Sequence, residues 1–240
     1  MDFKKILCDS FERNGLPCPD DKTTQAFLKF TDYLIDINSH TNLTAIRDIP
    51  SIVTKHYIDS LLISDKIPLN SRVLDLGCGP GFPSIPLAIW RSDLQIVSLD
   101  STAKKITFVQ DAAKLLGLNN LVAISARAED HLVMKKLDKF DVVTSRAVAN
   151  LNILSELCMP YLKIGGKMLA MKGAKIEEEV SSLLKGKAIE VLGAAEPLIQ
   201  TWKLVLEEGE EIRGVVEIFK IKECEKQYPR TYAAIVKTPL

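Results

Sequence analysis

The 240-residue sequence carries no surplus of either charge: Lys and Arg number 31, and Asp and Glu also number 31. This excludes the global positive field that drives non-specific nucleic-acid binding, so any contact with RNA must use a local patch. A leader-like start is lacking as well. The opening MDFKKILCDSFERNG interrupts its apolar residues with charges every few positions and has no small-residue cleavage site, so it reads as neither signal peptide nor membrane helix. The expectation is a cytoplasmic protein without a membrane partner. Cys8, Cys18, Cys78, Cys158 and Cys224 form no CxxC and have no nearby His pair, so no metal site and no disulfide framework are expected, and all five read as reduced thiols.

What is present is enough apolar content, 47% hydrophobic, to bury a substantial core. Phe27, Phe30, Leu34 and Ile37 fall on one face at helical spacing over residues 23–38. A second helix is predicted at 49–65, with Asp48 as N-cap, Pro50 in the first turn and Val53, Tyr57 and Leu61 as its stripe. From Arg72 onward, short β-branched runs alternate with helical stretches. The predicted strands are RVLDL, QIVSLD, LVAISA, FDVVTS, KMLAMKG, AIEVLGA and VVEIFKIK. That alternation predicts an α/β fold, a doubly wound parallel sheet. The segment Glu196–Gly214 has no long helical stripe, so an antiparallel hairpin is expected at one sheet edge. The expected organisation is a helical cap over residues 1–66 packed on a main domain over 67–240.

A strand ending in Asp75, a glycine cluster and an opening helix form a site for a nucleotide-like ligand at the carboxyl end of a parallel sheet. The dinucleotide pattern G-x-G-x-x-G would need glycine at position 82, where the chain has Phe82; the run is Gly77, Gly79, Gly81. No G-K-[ST] follows, so a triphosphate cradle is lacking too. The ligand is expected to be a nucleoside without a phosphate chain, and S-adenosyl-L-methionine fits. Asp100 closes the second strand and suits the ribose hydroxyls, with Ser101 beside it; an N-cap role for the next helix is the alternative. Ala128 and Glu129 follow the third strand where an adenine edge would lie, Glu129 reading equally as a helix-start acid. Arg146 ends the fourth strand and faces the same crevice, where it could hold a carboxylate or a phosphate; a surface or ion-pair residue is the alternative.

The motifs NLTAIRD, KHYIDSLL, DLGCGPGFPSIPLAI, LDS followed by two lysines, RAE, SRAVA, LAMKG and YPR...KTPL occur in order from about residue 38 to the end. Together they closely resemble the bacterial 16S ribosomal RNA guanine-N7 methyltransferase family, also called small-subunit methyltransferase G or glucose-inhibited division protein B. The resemblance implies a class I methyltransferase, Rossmann-like, with seven strands of which the last is antiparallel, and an N-terminal helical extension. It implies methyl transfer from S-adenosyl-L-methionine to N7 of one guanosine in the 530 loop of 16S rRNA, within a small-subunit particle. The family's cofactor contacts carry over to Gly77, Phe82, the Asp100 region, Ala128, Glu129 and Arg146, and Gly79 and Ser101 complete the candidate cofactor site. Three departures stand out: Ser84 replaces the usual glycine, Lys105 the usual arginine, and PRTYAA lacks the glycine expected after YPR.

Guanine N7 is unprotonated at neutral pH, so the reaction needs positioning and no general base. Accordingly no catalytic residue is assigned from the sequence; Arg146 and Lys172 are candidates to bond guanine O6 or a phosphate, and His40, His56 and His131 read as structural or surface residues. For RNA, the tail 220–240 offers Lys220, Lys222, Lys226, Arg230 and Lys237 against Glu223 and Glu225, with Tyr228 or Tyr232 to stack and Lys104 and Lys105 extending the patch. A small-molecule methyltransferase with the helical segment as lid, and a non-catalytic cofactor-binding module on the ribosome, share the same loop and remain open at this point.

Overall fold

In a computed structural model describing residues 2–240, the alternating segments form one seven-stranded sheet of order β3-β2-β1-β4-β5-β7-β6. Its strands are β1 (Arg72–Leu76), β2 (Gln95–Asp100), β3 (Leu121–Ser125), β4 (Phe140–Arg146), β5 (Leu162–Lys172), β6 (Leu198–Val205) and β7 (Glu210–Phe219). The first five are parallel, β7 runs antiparallel to β5, and β6 pairs antiparallel with β7. The strand order reverses between β1 and β4. That reversal opens a crevice at their carboxyl ends, where ligands of doubly wound sheets bind.

Two expectations about the sheet need correction. AIEVLGA is a helical turn, Ala188–Val191, with Ala188, Val191 and Leu192 buried at helical spacing. The sixth strand lies instead in Leu198–Val205, inside the segment read as a connection. Its exposed edge position leaves Leu198, Ile199, Gln200 and Thr201 on the surface, which hides the alternation a half-buried strand would show. The hairpin at the sheet edge is present, made of β6 and β7.

Three helical segments precede the sheet. The first, α1 (Phe3–Arg13), was not expected; Asp2 caps it by accepting from Lys5 N, and Phe3, Leu7 and Phe11 form its buried stripe. The second, α2 (Asp21–Thr41), contains the predicted stripe and buries Phe27, Phe30 and Leu34 completely. Each such burial stabilises the fold by roughly 1.5–3 kcal/mol. Between the two helices, Gly15 turns the chain with φ +76° and brings the Cys8 and Cys18 Cα atoms to 4.5 Å, where a disulfide joins them. This corrects the reading of five free thiols; Cys78, Cys158 and Cys224 are the free ones.

The third segment starts where Asp48 accepts from Ser51 N, runs through Ile49–Ile52, and widens into a π-helical turn at Val53–Ile58 before ending at Asp59–Leu61. π turns re-aim side chains and recur at functional sites. Here the turn sends Tyr57 into the core beside Phe27 and Phe30, while His56 and Asp59 face the crevice. The three helical segments and one face of the sheet share a single hydrophobic cluster. The other face is covered by helices His131–Leu137, Leu151–Cys158 and Ile176–Lys185. No helix among the described residues is long and apolar enough to cross a membrane.

Candidate functional site: two cavities at the strand ends

The first cavity, about 550 Å³, opens at the carboxyl ends of β1, β2 and β3. All eight residues expected to contact a cofactor line it: Gly77, Gly79, Phe82, Asp100, Ser101, Ala128, Glu129 and Arg146. The loop after β1 adopts left-handed backbone at Gly77 (φ +75°) and Gly79 (φ +56°), conformations that favour glycine. A Cβ on Gly77 would run into Val148, so the turn after β4 packs against bare backbone here. At Gly79 a Cβ would meet no protein atom within 4 Å, leaving backbone open to a ligand.

Asp100 holds this loop. Its Oδ2 accepts from Gly79 N at 3.0 Å and its Oδ1 from Thr102 N at 2.8 Å. The second bond reaches only to the residue before the helix that begins at Ala103, so Asp100 ties the glycine loop to the helix entrance. Each carboxylate oxygen keeps a second lone pair for a hydroxyl donor. Glu129 is relieved of capping by Asp130, which accepts from Leu132 N and Val133 N. Tyr161 OH donates to Ala128 O at 2.9 Å and fixes the backbone beside it. Carboxylates at two strand ends are unfavourable neighbours for a pyrophosphate and suit ribose hydroxyls or a cation.

Beneath the loop, Asp75 is fully buried; its Oδ2 accepts from Ser84 N at 3.0 Å, while its Oδ1 has no partner among the described residues. Burial raises its pKa to about 7, against the opposing bond from Ser84 N. The serine at position 84 is therefore fitted into the core, with its Oγ unpartnered.

Arg146 is anchored rather than free. Nη1 donates to Asp59 Oδ2 at 2.8 Å and to Lys55 O at 3.0 Å, and the guanidinium lies 5.1 Å from the Phe82 ring centroid. Asp59 Oδ1 accepts in turn from Arg213 Nε at 3.0 Å. His56 stacks on Phe82 with centroids 4.2 Å apart, and its pKa is lowered to about 3, first by burial and then by Arg146. A neutral ring with Nδ1 accepting from Arg146 Nη2 (3.2 Å) leaves Nε2–H to donate to Thr44 Oγ1 (2.9 Å). His56 is thus a structural residue inside the site wall, excluded as a proton carrier near neutral pH. Asp59 and Arg213 were missed by sequence reasoning. Asp59 had a signal in the KHYIDSLL motif; Arg213 had none.

The second cavity, about 540 Å³, lies on the β4–β5–β7 side and shares His56, Arg146, Ala147 and Val148 with the first. Lys172 lies here, apart from the eight cofactor candidates, with its side chain 7% exposed. Its Nζ donates to Ala149 O (2.5 Å) and pairs with Glu179 Oε2 (2.7 Å). The expected basic tail is thinner than its composition implies. Lys220 is buried and donates to Met159 O, and Arg230 holds Glu156 through three bonds, from its backbone N and Nε at 2.9 Å and from Nη2 at 2.6 Å, so both anchor the tail internally. Lys222, Lys226 and Lys237 remain exposed, Tyr232 reaches the rim of the first cavity, and Lys105 lines that cavity while Lys104 faces solvent.

A doubly wound sheet with an antiparallel seventh strand, and a nucleoside-sized crevice built on a glycine loop without a phosphate cradle, define the class I methyltransferases. The fold agrees with that of a Bacillus cereus O-methyltransferase solved with SAH (TM-score 0.59, 16% identity, covering 91% of this chain and 100% of that one). It also agrees with M. jannaschii TYW2 solved with AdoMet (TM-score 0.51, 18% identity, covering 68% and 77%). The family model for rRNA small subunit methyltransferase G matches residues 23–201. Ribosomal RNA small subunit methyltransferase G of Clostridium botulinum (strain Eklund 17B / Type B) is 38% identical over 243 residues, covering 100% of both chains, and that of Desulforamulus reducens is 42% identical over 220 residues, covering 90% of both. The chain belongs to the rRNA small subunit methyltransferase G family.

Proposed function

We propose that the protein methylates N7 of a guanosine in the 530 loop of 16S rRNA, with S-adenosyl-L-methionine in the first cavity and an assembling small-subunit particle in the cytoplasm as its substrate. The observation that carries the cofactor reading is the open backbone at Gly79 facing a cavity lined by Asp100 and Glu129. Asp100 accepts the ribose hydroxyls; Ser101 and Ala128 border the nucleoside; Glu129 faces its polar edge; Phe82 and Gly77 close the side next to Arg146. S-adenosyl-L-methionine supplies an electrophilic methyl group.

The chain's own contribution is placement. Guanine N7 brings an in-plane lone pair, and no proton has to leave before attack, which matches a site whose histidine is locked neutral. Rate then comes from near-attack geometry and from carboxylates tolerant of spreading positive charge. Arg146, held by buried Asp59 at the junction of the cavities, and Lys172, held by half-buried Glu179 in the second, offer donors for guanine O6 or a phosphate. Residues 1–66 act as a cap that closes the wall through His56, which stacks on Phe82 of the glycine loop.

The test is to map 7-methylguanosine in 16S rRNA from cells with and without the gene, by cleavage at the modified base. Loss of one mapped position, restored by the gene, supports the reading. An unchanged pattern, or labelled methyl recovered only in a small metabolite, overturns it.

A further inference from the structure

We infer that the second cavity receives the acceptor guanine, unstacked from its RNA strand, and that Glu179 reads the N1 and N2 edge of that base. The inference rests on the proposed function and assigns the side of the site that recognises the substrate. A base inside a folded RNA loop is beyond the reach of a donor buried at strand ends, so it has to be turned out into a pocket. This cavity meets the first at Arg146, Ala147 and Val148, where donor and acceptor must come together. Ala147 sits there with φ +56°, a conformation costing a non-glycine residue about 1–2 kcal/mol, so the dividing turn is held in a strained shape.

Most charged groups lining the cavity are satisfied by one another. Asp59 uses both oxygens on Arg146 and Arg213, and Lys55 pairs with Glu211 at 2.7 Å. Glu179 differs. Its Oε2 accepts from Leu151 N at 2.8 Å and pairs with Lys172, while its Oε1 has no hydrogen-bond partner among the described residues. The carboxylate is therefore held in place on one oxygen and available on the other.

A carboxylate accepts and never donates. Guanine presents two adjacent donors, N1–H and the N2 amino group, on the edge away from N7, so a base held there by Glu179 leaves N7 free for methyl transfer. Adenine presents an unprotonated N1 on that edge and is repelled. Trp202 also lines the cavity and provides an aromatic face on which an unstacked base can rest.

The test combines Glu179→Gln with inosine, which lacks the N2 amino group, at the target position of a ligated 16S RNA. Single-turnover methyl transfer and calorimetric affinity for S-adenosylmethionine are both read. The wild-type protein should lose roughly tenfold or more on inosine, the range for a hydrogen bond to a charged group. Glu179→Gln should lose a similar factor on guanosine, discriminate guanosine from inosine less than about threefold, and bind cofactor like the wild type. Equal rates on guanosine and inosine with the wild-type protein overturn the inference, whatever the variant does. An equal inosine penalty in both proteins also overturns it, because Glu179 then acts only through the fold. If the wild-type protein methylates the same RNA elsewhere, or transfers no methyl to it, the proposed function fails and the inference with it.

Discussion

Replacing Asp59 by alanine tests the wall that separates the two cavities. The carboxylate is 6% exposed and accepts from Arg146 at 2.8 Å and from Arg213 at 3.0 Å. A hydrogen bond to a charged group is worth about 1.5–3 kcal/mol, so two such bonds set an upper bound near 6 kcal/mol. Each arginine keeps another partner, Arg146 through Lys55 O and His56, Arg213 through Glu211. Removing one member of a buried ionic group costs about 3–5 kcal/mol, and the retained partners place Asp59→Ala at the lower end, about 3 kcal/mol. Urea unfolding at neutral pH reads this as a shifted midpoint with an unchanged slope. Asp59→Asn, which keeps one acceptor oxygen, should lose about half as much. A loss below about 1 kcal/mol, the range of an exposed surface pair, would refute the view that this network is a buried structural element.

Five further outcomes are expected. Asp100→Ala should weaken S-adenosylmethionine binding by about 1–3 kcal/mol in calorimetry; unchanged affinity would remove it from the ribose site. Gly79→Ala should cost the unliganded fold about 1–2 kcal/mol through its positive φ, and lower cofactor affinity further, because the new methyl group enters open space in the cavity. The raised pKa of Asp75, from 3.8 to about 7, means the folded state binds the extra proton, so its contribution to stability is lost as pH rises through that window; Asp75→Asn should flatten that part of a stability-versus-pH curve. His56 works in the opposite sense, its stabilisation falling away as pH drops below 6.5 toward 3, and its ring protons in NMR should show no titration between pH 5 and 8. Charge reversal at Lys104 should weaken RNA methylation and leave cofactor affinity intact, whereas reversal at Lys105, which lines the first cavity, should disturb both.

The glycine loop was legible because its chemistry is local: spacing alone argued against a dinucleotide, and Gly77, Gly79 and Phe82 line one cavity. Arg146 was legible as a strand-end residue, but its ionic network was not, since Asp59 lies 87 residues from Arg146 and 154 from Arg213 in the chain. Only the fold brings them together. Lys220 and Arg230 were read as RNA-facing because a sequence records charge and not burial; a tail that folds back over Glu156 and Met159 reverses their meaning. Ala188–Val191 was mistaken for a strand because its three apolar positions, Ala188, Ile189 and Val191, fit either period, and β6 was overlooked because an exposed edge strand lacks the alternation that identifies a half-buried one.

Arg146 belongs to both cavities, which gives the two ligands a common wall. Any shift of that wall on cofactor binding changes the affinity for RNA by some factor, and linkage requires RNA to change the affinity for cofactor by the same factor. The same relation applies after transfer. With cofactor and RNA in the two cavities as proposed, methylated RNA and spent cofactor share one arginine, and Asp59→Ala is expected to change the rate of product release as well as folding stability.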